Sequence, residues 1–127
     1  MAGSRHILFV EDDRAISEMY SRILIKNGYE VDFAYDGAEG LQKAQKKHYD
    51  LILLDIMMPE MTGLEVLEKL RGEDGAGAPD TKIIVLTNFA QDETSDKAQE
   101  DHADGFIVKA DVVPSQLIIL LEKFFAQ

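Results

Sequence analysis

Five short apolar runs rich in β-branched residues alternate with stretches of helical spacing, and no other feature restricts the fold so strongly. The runs are HILFV (6–10), EVDFA (30–34), DLILLD (50–55), KIIVLT (82–87) and GFIVK (105–109). After the first, RAISEMYSRILIKNG sets Ile16, Tyr20, Ile23 and Leu24 on one face and stops at Gly28, a residue suited to ending a helix. DGAEGLQKAQKK opens with Asp36 and Glu39 at capping-box spacing, and TGLEVLEKL does the same with Thr62 and Glu65. PSQLIILLEKFF opens with Pro114, whose fixed φ suits a first helical position. Strand–helix alternation of this kind demands parallel strands joined by right-handed crossovers. The first, third and fourth runs are continuously apolar, as parallel strands buried on both faces must be. Glu30 and Asp32 interrupt the second, which reads as an edge. The expected fold is α/β: a doubly wound (βα)5 layer with strand order 2-1-3-4-5 and helices on both faces.

No linker rich in Pro, Gly or Ser divides the 127 residues, and GEDGAGAPD (72–80) reads as a surface loop. One domain spanning 1–127, without an output domain, is expected. The chain has no cysteine, which excludes disulfides and thiolate metal sites. Its N-terminal apolar run is too short for a signal peptide or a membrane span, so a cytoplasmic location is expected. The net charge of −11, from 24 acidic and 13 basic residues, opposes direct contact with nucleic acid or anionic membrane. KAQKK (43–47) reads as a solvated helix face whose cations suit the C-terminal dipole. His6, His48 and His102 lack metal-ligand spacing and read as surface residues.

In an open α/β sheet the ligand site lies beyond the carboxyl ends of the strands, where strand order reverses. Glu11, Asp12 and Asp13 follow strand one, Asp55 ends strand three, Thr87 ends strand four and Lys109 ends strand five. Carboxylates about 4 Å apart repel by roughly 4 kcal/mol at an effective dielectric of 20, so such a cleft needs counter-charge. Lys109 is one source, and a hard divalent cation, Mg2+ or Mn2+, is the other that oxygen ligands favour. A carboxylate beside such a cation, faced by an ammonium and a hydroxyl, suits a phosphoryl acceptor. Neither GxGxxG nor GxxxxGK[ST] occurs, which argues for a covalent and transient phosphate.

Taken together, FVEDD, LILLDIMMPEMTGLEVL, IIVLT and GFIVKA resemble the receiver domain of bacterial two-component response regulators, in order and at the usual spacing. The resemblance implies a flavodoxin-like fold and a phospho-aspartate switch that catalyses only its own phosphorylation and dephosphorylation. It implies Asp55 as phosphoacceptor, with Mg2+ held by Asp12 directly, by Glu11 mostly through water, by Asp55, and by the backbone carbonyl of Met57. Asp13 falls one place beyond the acidic pair and is expected to cap the following helix. Thr87 would be the switch hydroxyl, Lys109 the phosphoryl-binding lysine and Phe106 the switch aromatic. Ala15, Met19 and Arg22, off the core stripe of the first helix, would dock a histidine kinase or phosphotransfer protein. Three positions depart from the family pattern. Ala110 replaces the proline that usually follows the lysine through a cis bond, and a cis bond before alanine costs about 2.5–4 kcal/mol. Asn88 replaces a small residue. Met57 and Phe89 are large and apolar where dephosphorylation is tuned, which implies a long-lived acyl phosphate.

Output would pass through contacts with a downstream protein or by phosphorelay, with Thr87 drawn to the phosphoryl group and Phe106 filling the vacated space. AQDETSDKAQED (90–101) offers only Ala90 and Ala98 as apolar anchors, so low local stability is expected there. The last helix is apolar over a wide arc. Leu117, Leu120, Leu121 and Phe124 suit the sheet, while Ile118, Ile119 and Phe125 are candidates for a partner or homodimer face in the strand-five and last-helix region. Two other readings stay open: a metal-dependent aspartyl phosphohydrolase, and a pseudo-receiver that binds partners without phosphate. Met57 stands where the first would want an acid–base carboxylate. The second would be expected to lack Asp55, Lys109 or the acidic pair.

Overall fold

A computed structural model describes residues 5–56, 58, 63–71, 81–87, 103–108 and 114–126. Chain order is β1 (His6–Val10), α1 (Arg14–Lys26), β2 (Glu30–Ala34), α2 (Gly37–Lys46), β3 (Leu51–Asp55), α3 (Gly63–Arg71), β4 (Lys82–Thr87), β5 (Gly105–Val108) and α4 (Pro114–Phe125). The five strands form one parallel sheet in the order β2-β1-β3-β4-β5, so β2 is an edge, as Glu30 and Asp32 foretold. The sequence reading starts the third strand at Asp50; the strand proper begins at Leu51.

Side chains alternate across each strand and so feed two cores. Ile7, Phe9, Leu53 and Leu86 face one side with Tyr20 and Leu24 of α1 and Leu117 and Leu121 of α4. Leu8, Val10, Leu54 and Val85 face the other, with Val66, Leu67 and Leu70 of α3 and Leu41 of α2. Burial on both faces is why β1, β3 and β4 tolerate almost nothing polar before their last residue.

Local chemistry sets the helix ends. The Asp13 carboxylate accepts from the Ala15 and Ile16 N–H groups, making it the N-cap of α1. Past the other end, Gly28 holds φ at +93°, a conformation that side chains disfavour. Asp36 accepts from the Glu39 N–H at 2.8 Å, and Glu39 reaches back to the Tyr35 N–H at 2.7 Å. The reciprocal bond of that capping box thus lands one residue before the cap. Pro114 opens α4. Thr62 of the second expected box lies outside the described residues, as do the loop 72–80 and the segment 90–101.

Three expectations need correction. His6 is no ordinary surface residue: its side chain is 19% exposed, with one ring nitrogen 3.7 Å from Glu30 and the other 3.4 Å from Asp32. As the first residue of an interior strand, it is flanked by β2 on one side and by Tyr49, just before β3, on the other. His48 is exposed, and His102 lies outside the described residues. The Lys43–Lys47 stretch is not simply solvated, because it reaches β2. Lys43 is half-buried and its ammonium donates to the Phe33 carbonyl, while Lys47 pairs with Asp32 at 3.3 Å. Finally, Ile118 and Phe125 are half-buried and pack in part on their own core, so less of each is open to a partner than the apolar arc alone suggests. Phe125 stacks on Tyr29 with the Arg5 guanidinium 4.1 Å over its ring, so residues remote in sequence cover it. Ile119, 57% exposed, still faces outward.

At this amino-terminal end of the sheet Asp32 collects several partners. Burial works to raise its pKa. Hydrogen bonds from the Tyr49 hydroxyl and the Lys47 ammonium, with the charges of Lys47 and His6, outweigh burial and hold the carboxyl below its ordinary range. Burial first, then the hydrogen bond to Asp32 and its charge, push the Tyr49 phenol above its usual range.

Candidate functional site

Three carboxylates converge where β1 and β3 end. Glu11 follows β1 and is anchored by its N–H, which donates to the Ala34 carbonyl of β2 at 3.0 Å. Asp55 is the last residue of β3, and the next residue, Ile56, donates to Leu86 of β4 at 3.0 Å. Both are nearly fully buried, Glu11 at 1% and Asp55 at 2% exposed, whereas Asp12 faces solvent. One carboxylate oxygen from each of Glu11, Asp12 and Asp55 lies within 4.8 Å of the others. Two of the three acids are thus drawn out of water, which is costly without partners or counter-charge. Asp13 contributes otherwise: its N–H donates to Glu11 at 3.3 Å while its side chain caps α1.

Thr87 is the last residue of β4, in register with Val108 of β5. Lys109, next in the chain, lies outside the described residues, as do Met57, Asn88, Phe89 and Ala110. Phe106 of β5 pairs with Val85 and packs half-buried on the core beneath α2 and α3. Ala15, Met19 and Arg22 are all exposed on α1. Met58 is buried in the same core as Phe106, so this methionine serves packing.

The sequence reading passed over two features of the rim. Gly63, the first residue of α3, donates its N–H to the Ile56 carbonyl at 3.1 Å. A Cβ at this position would run into the backbone of Asp55 and Ile56. The start of α3 can therefore lie against the acid-bearing turn only because residue 63 is glycine. A glycine opening a predicted helix was the available signal. The second feature pairs Arg14 with Tyr35: the guanidinium lies 4.1 Å over the ring. Nothing local in the sequence joins those two residues.

The doubly wound five-stranded sheet carries a carboxylate trio at its switch point, and the comparisons place that arrangement in a known family. Residues 7–121 match the response regulator receiver domain family, and the chain belongs to that family. The response regulator ArlR of Staphylococcus aureus (strain Mu50) is 42% identical over 105 residues, which is 81% of this chain and 45% of ArlR. The chain thus spans a little under half the length of the curated relatives it matches. Among solved structures, the chemotaxis protein CheY4 of Vibrio cholerae is 35% identical with a TM-score of 0.85, covering 97% of this chain and 99% of that one. A CheY-like receiver domain protein from Methanospirillum hungatei JF-1 is also 35% identical, with a TM-score of 0.86 and coverage of 98% and 95%. Among the described residues no helix is long and apolar enough to cross a membrane.

Proposed function

We propose that the chain is a phospho-aspartate switch in which Asp55 accepts a phosphoryl group from a phosphohistidine donor, a histidine kinase or a phosphotransfer protein. The observation that carries this reading is the gathering of Glu11, Asp12 and Asp55 within 4.8 Å at the sheet's switch point. A carboxylate oxygen of Asp55 attacks phosphorus. The new P–O bond forms as the P–N bond to the donor imidazole breaks, and the imidazole leaves with the electron pair and takes up a proton. Asp55 is 2% exposed, and this enclosure supports an acyl phosphate kept from bulk water.

The donor set also fits a hard cation: three carboxylates supply only oxygen, as Mg2+ or Mn2+ prefers. Asp12 and Asp55 would hold it, with Glu11 acting mostly through water and the Met57 carbonyl a further ligand. When bound, it supplies positive charge that offsets the trio and the phosphoryl oxygens. Thr87 and Lys109, at the ends of β4 and β5 in sequence, take the hydroxyl and ammonium roles toward the phosphoryl group. Phe106 takes that of the aromatic that follows Thr87. Ala15, Met19 and Arg22 form the donor's docking surface, and the 127 residues act as one receiver unit. Output passes by protein contact or phosphorelay, and the net charge of −11 supports protein rather than nucleic acid as the direct partner.

Incubation with acetyl phosphate and Mg2+, followed by intact mass measurement, tests the reading. One phosphoryl adduct that decays slowly is expected, absent from Asp55→Asn and absent when EDTA is included. Undiminished adduct in Asp55→Asn would refute the assignment, and rapid multiple turnover would favour a phosphohydrolase.

A further inference from the structure

We propose that Arg14 recruits anionic small-molecule phosphodonors to the Asp55 mouth, with Tyr35 as the shelf that holds its guanidinium there; this rests on the phospho-aspartate reading. Arg14 is the first residue of α1, directly after the N-cap Asp13 and two places beyond Asp12. A cation there opposes the helix dipole, which is met by the N-cap carboxylate of Asp13 and by no acidic residue of the first turn. The guanidinium lies 4.1 Å from the Tyr35 ring centroid, where ring and cation attract.

Tyr35 belongs to the rim itself. Val10 pairs with Ala34, and the Glu11 N–H donates to the Ala34 carbonyl. Continuing that register sets Tyr35 level with Glu11, across the β1–β2 pairing. The backbone of Tyr35 is anchored by its N–H, which donates to the Glu39 carboxylate at 2.7 Å, and its ring stacks on Phe33 at 6.4 Å with planes 9° apart. Arg14 is nevertheless exposed, so its charge faces the solvent from which a donor arrives.

Electrostatics gives this arrangement a task. A dianionic donor approaching a chain of net charge −11 meets long-range repulsion, and one divalent cation among three carboxylates offsets it only in part at the mouth. A guanidinium fixed at the mouth lowers that barrier before binding, whereas the role proposed for Lys109 begins once the phosphoryl group is seated. Arg14 is thus a recruiting residue that discriminates donors by charge, and it takes no part in the bond-making step.

The test measures phosphorylation rate in saturating Mg2+ against donor concentration for the wild type, Arg14→Gln and Arg14→Lys, with acetyl phosphate and with the less anionic phosphoramidate. At low salt, Arg14→Gln is expected to raise the half-saturating acetyl phosphate concentration roughly threefold to tenfold without lowering the maximal rate. Arg14→Lys should stay near the wild type. The difference should be smaller with phosphoramidate and should vanish at about 1 M salt, where the screening length is about 3 Å. A fall in maximal rate alone, a deficit that persists at high salt, or equal losses with both donors would overturn the proposal and leave Arg14 a packing contact. A wild-type chain that took a phosphoryl group from neither donor would instead refute the phospho-aspartate reading, and this inference with it.

Discussion

Gly63 governs how closely α3 can approach the turn that carries Asp55. Its missing side chain leaves room for the backbone of Asp55 and Ile56, and backbone cannot swing aside as the end of a long side chain can. Gly63→Ala should therefore lower unfolding free energy by about 1–3 kcal/mol, in the range of overpacking elsewhere. Because the strain falls on the acid-bearing turn, phosphorylation by acetyl phosphate should slow as well. Urea unfolding and rate measurements on the same variant check both effects. An unchanged midpoint with an unchanged rate would show that α3 can shift away freely. The acids were legible from sequence because each ends or follows an apolar run, and a carboxylate in that position is conspicuous. The constraint on Gly63 was not, because the backbone it meets lies seven residues or more away along the chain and is brought close by the fold.

Among elements, the edge strand β2 shows where pattern reading reaches its end. Interleaved acids marked it correctly as an edge, yet they did not reveal that Asp32 is held by Tyr49 and Lys47, with His6 close by. Those partners come from β1, from the C-cap residue just past α2, and from the residue two places before β3, so only the assembled sheet unites them. The folded pKa of Asp32 lies below its unfolded value. The stabilisation from its partners is thus fully present above the unfolded pKa, near 4, and is lost as pH falls through the folded pKa. Tyr49→Phe removes a donor to the carboxylate and should raise the Asp32 pKa toward its ordinary value. It should also shift the acid unfolding transition to higher pH. An NMR titration of the Asp32 carboxyl, beside acid unfolding of both proteins, measures this. An unmoved Asp32 titration would mean that Lys47 and His6 hold the charge without Tyr49. Helix α4 illustrates the same limit. Its apolar arc was plain in the sequence, but Tyr29 and Arg5, which cover Phe125, belong to other parts of the chain.

For the molecule as a whole, the strand order and the two-sided core were readable because each follows from one repeated rule. A parallel strand buried on both faces must be apolar throughout, and helices must return over the sheet between strands. The same rule locates the mouth and brings Glu11, Asp12, Asp13 and Asp55 to it, while the family resemblance sets Asp13 apart as a helix cap and leaves the trio that the structure gathers. What lay beyond it was the division of burial within that trio, with Glu11 and Asp55 enclosed and Asp12 open to solvent. That division depends on the residues packed around each strand end. On the phospho-aspartate reading proposed above, Asp55, enclosed as the last residue of β3, is a carboxylate shielded from water. The most direct check is to phosphorylate the chain, reduce it with borohydride, which converts an aspartyl phosphate to homoserine, and sequence the peptides by mass spectrometry. Homoserine at position 55 alone is the expected outcome. Homoserine at position 12 or 13, or phosphate retained on a side chain that borohydride leaves intact, would contradict the assignment of Asp55 as phosphoacceptor.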